Sequence, residues 1–594
     1  MSLIPKTGRK AWKVRLLHGG ILTALILGSA MMLVPFLLML TGATRTGVDQ
    51  HEFRLIPRFL RNDTVLFRKH IEALYNESPA ALRAAWGEDA ADFSTLEKLE
   101  APGLERVLAW RAFQTERGGV MFPGYTLTPV SRSRGRNIRG FIWELKSRFG
   151  NGIERMNTAL ETDFSDWNAV TVLAPDPRAR LGRVEASPWW QAWEAYLAGA
   201  APEWSLAYID LSGFFHERVW IPPRGRQADR PPLTRHAPAD EAVRDAWILF
   251  VREIVHPQFV RIGLEAEPAW QSFLAARYAD LPTFRRITGM AAEDWSAVSL
   301  PAAWAESGPL LYDWEAFLQG WQDTDGQLHR APVGALSLES ADLAWREATG
   351  TAPPIRESDQ LRFEAHRAAI RRTFLFQHLG TVWEILILDG RGVGNTLFYC
   401  AMAVLLALLV NPLAAYALSR FRPPNAYALL LFLLLTMAFP PMVTQIPVFL
   451  MLRDFGLLNT FRALLLPGMA HGYSIFLLKG FFDSLPRDLY ESAEMDGAGE
   501  LRMFWTITLS LSKPILAVIA LSAFVSAYTN FMFALLICQD ERMWTLMVWL
   551  YQLQQSYGPG VMNAAFVLAS LPTLLVFLLA QNLIMRGIVI PVEK

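Results

Sequence analysis

Six runs of about twenty mainly apolar residues decide what this chain can become: roughly 21–42, 395–418, 427–452, 461–482, 514–538 and 562–585. A helix needs about 20 such residues to cross roughly 30 Å of hydrocarbon with every backbone N–H and C=O bonded inside the segment. The runs therefore read as membrane-spanning helices, one before residue 43 and five beyond 393, while 43–393 has the mixed composition of a chain in water. The averages hide that division: mean hydropathy is +0.20 with 19% charged residues, too apolar for an ordinary soluble enzyme and too charged for a chain wholly in lipid. The expected fold is an all-α polytopic membrane protein with six transmembrane helices and a mainly helical domain inserted between the first and second. Its expected divisions are 1–42, 43–393 and 394–594.

The first run has a basic flank of Lys6, Arg9, Lys10, Lys13 and Arg15 and small residues at Thr41-Gly42-Ala43, as a secretory signal would. A signal core is about 7–15 apolar residues long, and this run is longer, so it reads as an uncleaved span with its N-terminus in the cytoplasm. Basic residues of short loops stay on the cytoplasmic side. That rule places Arg420, Arg422, Arg487, Arg502, Lys513, Arg586 and Lys594 inside, against Arg453, Arg462 and Arg542 outside. Both termini are then cytoplasmic and 43–393 is extracytoplasmic, since long segments cross largely regardless of charge.

Lysine and arginine (56) equal aspartate and glutamate (56), so no polyanion partner is indicated and nucleic acid is not expected. The two cysteines, Cys400 and Cys538, both lie in apolar runs, which leaves neither a disulfide framework nor a paired-thiol metal site. The runs also contain Pro412, Pro440, Pro441, Gln445, Pro447, Pro467, His471 and Asn530. Polar groups and prolines at membrane depth face a bundle interior or a cavity. Gln445, His471 and Asn530 are thus candidates for lining a transport path, with helix kinks packed on neighbours as the plainer alternative.

Between the fourth and fifth runs lies the amphipathic stretch SLPRDLYESAEMDGAGELRMFWTITLSLSKP, residues 484–514. Leu489, Ala493, Met495, Leu501, Phe504 and Trp505 supply an apolar face and Arg487, Asp488, Glu491, Glu494, Asp496, Glu500 and Arg502 a polar one, with Gly497 breaking the pattern between two short helices. This stretch resembles the EAA loop of ABC importer permeases: Glu-Ala-Ala, three residues, Gly, nine residues, Ile, one residue, Leu-Pro. Here the pattern reads Glu491-Ser492-Ala493, Gly497, Ile507 and Leu509-Ser510, every spacing kept, with Ser492 for the first alanine and Ser510 for the closing proline.

The resemblance covers 393–594 and is to the carbohydrate-type, maltose-system-like permease subunit of the type I importer fold. Its strings stand in order: GNTLFYCAMAV, AAYALSRFR, FPPMVTQIPVFLMLRDFGLLNT, FLLKGFFDSLPRDLYESAEMDGA and ASLPTLLVFLLAQNLIMRGI. The family's Trp-Asn-Glu-Phe of the fifth span is Tyr528-Thr529-Asn530-Phe531 here, a departure on the substrate path.

The resemblance implies a permease subunit in a bacterial inner membrane, importing a carbohydrate or related polar solute. It implies a second permease subunit, two copies of an ATP-binding cassette subunit and an extracytoplasmic solute-binding protein. It also makes 484–514 the element that docks into the ATPase, through Glu491, Ser492, Ala493, Asp496, Gly497, Ala498, Ile507 and Leu509. No GxxxxGK[ST] phosphate loop occurs in the chain, so ATP and magnesium belong to the partner ATPase and this chain is expected to carry no cofactor, no metal and no catalytic residue.

Members of that subunit type have a much shorter first outer loop, so 43–393 is not explained by the resemblance. Seventeen of the 21 tryptophans fall within it, a density that calls for a folded core or an aromatic surface. Weak similarity links 81–102, 155–175 and 284–302, each with an Asp-aromatic-Ser turn expected to cap a helix, and each followed by an aromatic pair: Trp110/Phe113, Trp193/Tyr196 and Trp314/Phe317. The pairs read as core. Glu144, Asp210, Glu265 and Glu267 offer carboxylates for glycan hydrolysis, which needs two that converge, and His216, His236 and His256 are isolated. The insertion is expected to dock a binding protein; the alternatives are an attached substrate receptor or a membrane-anchored glycan hydrolase.

Overall fold

The computed structural model describes residues 12–52, 54–87, 92–117, 121–122, 136–150, 152–167, 169–170, 188–208, 210–220, 230–301, 309–389, 391–436 and 440–587. They fall into two compact units, an apolar one (Met1–Thr44 with Phe376–Lys594) and an aromatic one (Arg45–Leu375).

Among the described residues of the apolar unit three helices are long and apolar enough to cross a membrane: Val14–Gly42, Gly392–Arg420 and Pro559–Gln581. Two bent pairs pass the same test, Phe461–Gly468 with Gly472–Asp483 at 49° and Glu500–Leu511 with Lys513–Tyr528 at 84°, giving up to five spans if each pair counts as one. The third, fourth and fifth runs of the sequence are each interrupted, for local reasons. Helix Ala426–Thr436 gives way to Pro441–Asp454, which starts on Pro440, because proline has no N–H to continue a helix but suits its first turn. Pro467 and Gly468 end the first half of the fourth run. Lys513–Tyr528 stops at Thr529, and a short helix resumes at Met532–Ile537.

Helix Gly392–Arg420 is central, packing against both Gly472–Asp483 and Lys513–Tyr528, and Pro559–Gly587 packs on the latter as well. A Cβ on Gly472 would lie 2.6 Å from the Leu433 carbonyl oxygen, so only glycine lets these two helices approach this closely. Two apolar clusters result. One gathers Val382, Tyr399, Ile537, Trp549 and Ala565. The other gathers Tyr416, Leu478, Phe482, Tyr490, Met503 and Phe504 beneath the amphipathic stretch.

The described residues of the aromatic unit form mostly short helices with three two-stranded antiparallel ribbons, in which Met121 pairs with Tyr208, Val260 with Leu338 and Trp321 with His329. Its principal core runs from Phe59 to Phe374 and includes Trp110, Trp247, Trp270 and Trp314. A smaller core is built from residues near one another in sequence, among them Phe141, Met156, Trp189, Trp193 and Tyr196. Trp110, Trp193 and Trp314 are all buried, as core residues. Asp92 and Asp294 cap single-turn helices by accepting from Ser94 N–H and Ala297 N–H. In the second copy it is Asp166, accepting from Ala169 N–H, that makes the turn.

Distant chain segments meet at Asp359, whose buried carboxylate accepts from Tyr75 OH at 2.6 Å and Trp86 Nε1 at 2.8 Å. Next to it Gln360 exchanges two hydrogen bonds with the Leu99 backbone, at 2.7 and 2.9 Å. Buried carboxyls are satisfied in this way because an unpaired one costs several kcal/mol.

Burial of Glu72 has a measurable consequence. On helix Asp63–Leu74 it is buried, and that burial pushes its carboxyl up to about 7. The folded state then holds the proton more tightly than the unfolded chain. The resulting stability is present below the ordinary carboxylate range and is lost as pH rises through about 7. Thermal unfolding of the purified chain, followed by tryptophan fluorescence, should lose on the order of 3 kcal/mol between pH 4 and pH 8 from this group. Glu72→Gln should reduce that slope without abolishing it, since burial also pushes the Asp342 carboxyl up, to about 8; an unchanged slope would assign it elsewhere.

Candidate functional site

The amphipathic stretch folds as a helical hairpin, Asp488–Met495 followed by Glu500–Met503, a wider turn of helix over Phe504–Thr508, and Leu509–Leu511. The turn between the helices has one geometry. Gly497 sits at φ +77, its N–H donates to the Glu494 carbonyl at 3.0 Å, and Ala498 N–H donates to the Ala493 carbonyl at 2.9 Å. These two bonds form a Schellman motif, which requires the left-handed conformation that glycine adopts without steric cost.

The hairpin is held to the helix that ends at Arg420. That guanidinium ion-pairs with Glu494 of the first hairpin helix and lies 3.6 Å from Glu500 of the second. It also stacks 5.2 Å from the ring of Tyr490. One turn earlier Tyr416 OH donates to Glu500 at 2.6 Å, and the Tyr490 and Thr508 hydroxyls meet at 2.8 Å in the interior. One arginine thus bridges both halves of the hairpin.

Each residue singled out in the sequence has a definite place. Ala493, Ala498, Ile507 and Leu509 are half-buried against the cluster beneath the hairpin, whereas Glu491, Ser492, Asp496 and Gly497 are exposed. The apolar face divides: Phe504 turns inward and Leu489, Met495, Leu501 and Trp505 turn outward. Exposed side chains of that size in one short hairpin form a surface suited to a partner.

Further along the same central helix lies a polar-lined cavity of about 150 Å³. Its polar lining comes from Tyr399 and Asn411, from His471 and Ser474, and from Ser522 and Ser526 of helix Lys513–Tyr528, among apolar side chains such as Leu464 and Ile519. Asn411 is buried beside Pro412. Its Oδ1 accepts the His471 N–H at 2.8 Å and its Nδ2 donates to the Ala407 carbonyl at 2.9 Å. His471 starts helix Gly472–Asp483, so Asn411 satisfies one of the N–H groups that a helix start leaves unpaired. His471 Nδ1 is 3.1 Å from Ser474 Oγ.

Of the three path candidates, His471 lines this cavity, and Asn530 reaches its wall by donating to Tyr399 OH at 2.9 Å. Gln445 is half-buried on helix Pro441–Asp454 and is not among the lining residues. Asn411 and Arg420 are the residues that sequence reasoning missed as site residues. The signals were a polar residue directly before a proline inside an apolar run, and an arginine at a helix C-terminus one short loop from acidic partners.

In the aromatic unit two of the candidate carboxylates, Asp210 and Glu267, hold structural posts, and Glu265 is exposed. Asp210 caps helix Leu211–Arg218 through Ser212 N–H at 2.9 Å and ion-pairs with Arg346, Glu267 accepts from Leu300 N–H at 3.0 Å, and Glu144 is exposed. His216 is fixed by a 2.7 Å contact to the Pro231 carbonyl, and its burial lowers its pKa. Among the described residues no group of three or more His, Cys, Asp or Glu could hold a metal ion.

Comparison with known proteins gives consistent matches. Residues 402–589 match the family described as binding-protein-dependent transport system inner membrane component. The chain is 32% identical to the diacetylchitobiose uptake system permease protein NgcG of Streptomyces coelicolor, over 32% of this chain and 64% of that one. It is 32% identical to protein LplC of Bacillus subtilis, over 34% of this chain and 72% of that one. With the sn-glycerol-3-phosphate transport system permease protein UgpE of Yersinia pestis it shares 31% identity, over 39% of this chain and 85% of that one.

Proposed function

Since the chain belongs to the binding-protein-dependent transport system inner membrane components, we propose that it is a permease subunit of an ATP-driven importer that moves a carbohydrate or related polar solute into the cytoplasm. Relatives named for diacetylchitobiose and sn-glycerol-3-phosphate uptake support this solute class. The chain spans the inner membrane with both termini cytoplasmic. A second permease subunit completes the pathway, and a pair of ATP-binding cassette subunits, carrying ATP and magnesium, drives it. The segment 43–393 lies outside, where it docks a solute-binding protein.

The observation that carries this reading is that one helix, Gly392–Arg420, holds both Asn411 at the polar cavity and Arg420 at the hairpin. Nine residues of helix separate them, roughly 14 Å at 1.5 Å per residue. Displacement of the hairpin by a partner that changes shape on hydrolysing ATP is thereby transmitted to the cavity, as alternating access requires. Exposed Leu489, Met495, Leu501 and Trp505 are the surface that partner would cover. A cavity of about 150 Å³ is below the 300–1,000 Å³ of ordinary ligand sites, which fits a path completed by a second subunit.

The test is reconstitution of the chain with its permease and ATPase partners in proteoliposomes, measuring ATP hydrolysis stimulated by binding protein. Gly497→Val places a β-branched residue at φ +77, where nothing lies within 4 Å of the added Cβ. The strain is then in the backbone alone, about 1–2 kcal/mol. Stimulated hydrolysis should fall several-fold with membrane insertion unchanged. Full stimulation in a correctly inserted variant would remove the hairpin from the coupling path.

A further inference from the structure

We propose that the aromatic unit contains a binding site for a small organic oxyanion, a carboxylate- or phosphate-bearing solute of about sugar size, in the cavity between Trp86, Ser212, Arg346 and Arg356. The inference stands on the aromatic unit alone and does not rest on the transport reading. The cavity measures about 540 Å³, within the range of small-molecule sites. It is bounded by the end of helix Pro79–Trp86, the start of helix Leu211–Arg218, and the segment from Ala352 to Glu357.

Its charge is one-sided. Four arginines, Arg106, Arg230, Arg346 and Arg356, line it against two carboxylates, Asp210 and Glu357. Both carboxylates are already engaged: Asp210 caps its helix and pairs with Arg346, and Glu357 pairs with Arg106 at 3.2 Å. Arg356 differs from these, because its described partners are neutral. Its Nη2 donates to the Glu97 carbonyl at 3.0 Å and its guanidinium lies 5.5 Å from the Trp86 ring. Its Nε has no partner among the described residues, and the Nε of Arg346 is likewise unmatched.

The independent observation is Ser212. It lines the cavity, is 4% exposed, and its Oγ has no hydrogen-bond partner among the described residues. A hydroxyl withdrawn from water without a partner costs about 1–3 kcal/mol, a cost that a ligand oxygen accepting its proton removes. Guanidinium groups bind carboxylate and phosphate by paired N–H bonds of fixed geometry. Cation, hydroxyl donor and aromatic wall together select an anionic head on a compact organic body.

The experiment is isothermal titration calorimetry on the purified full-length chain in detergent, without partner subunits, using D-glucuronate, glucose 6-phosphate and D-glucose as probes. Saturable binding of glucuronate or glucose 6-phosphate is expected, with glucose at least about tenfold weaker, and the tighter anion identifies the head group. Arg356→Gln should weaken that binding at least about tenfold. Ser212→Ala, which removes no interior hydrogen bond and so leaves folding intact, should weaken it several-fold and decides the matter if Arg356→Gln misfolds. Binding of neither anion, binding of glucose as tight as either, or an affinity unchanged in Ser212→Ala would overturn the proposal.

Discussion

Arg420→Ala should reduce binding-protein-stimulated ATP hydrolysis in proteoliposomes at least tenfold while the chain stays inserted and folded. The disparity between the two effects follows from the geometry. Arg420 is a quarter exposed and its two carboxylate partners more so, so each ion pair contributes about 0–1 kcal/mol and the stacking on Tyr490 a similar amount. The total loss of stability stays within about 3 kcal/mol. Coupling suffers more, because the same side chain is the only described ionic link between the central helix and the two hairpin helices. Arg420→Lys restores the charge but not the fork and should recover part of the stimulation. Undiminished hydrolysis in the alanine variant would show that the apolar cluster under the hairpin suffices by itself.

Charging the outward apolar face should have a comparably large effect at a different step. In Met495→Asp and Leu501→Asp the replaced side chains are 89% and 69% exposed, so the fold should change by no more than about 0.5 kcal/mol. A partner that buries them loses about 2–4 kcal/mol per central contact, roughly 30- to 900-fold in affinity. The ATPase subunits should therefore fail to co-purify with the solubilised variants, whereas with Arg420→Ala they should still co-purify. Normal co-purification of both aspartate variants would move the docking surface off this hairpin.

Much of this architecture could be read from the sequence, and where reading stopped the causes are physical. Helical content, membrane character and family membership followed from run length and from the spacing Glu491, Gly497, Ile507, Leu509, because both are local properties of the chain. The breaks in the third, fourth and fifth runs were visible only as prolines and an asparagine. Hydropathy averages over a window and does not register that Pro441 starts a new helix. The division of the apolar face, with Phe504 inward and Trp505 outward, was beyond a simple helical period, since a five-residue turn of wider helix over Phe504–Thr508 shifts the register. Asn411 escaped notice because its role is defined by His471, sixty positions away. The cavity of the aromatic unit was out of reach for the same reason: Trp86, Ser212 and Arg356 share no local pattern.

The node at Asp359 sets a timetable for the chain's biogenesis. Tyr75 must wait for a partner 284 positions later, and Asp63 for Arg367 and Arg371, 304 and 308 positions later. At about 5–20 residues per second, synthesis leaves the early helix Asp63–Leu74 without its final partners for roughly 15–60 s. The cluster around Trp193, assembled from neighbours in sequence, can close long before that. Folding of the aromatic unit is therefore split into an early local event and a late one that requires nearly the whole segment. The interval between them is when exposed tryptophan and phenylalanine surface is most open to aggregation or proteolysis, and most in need of a chaperone.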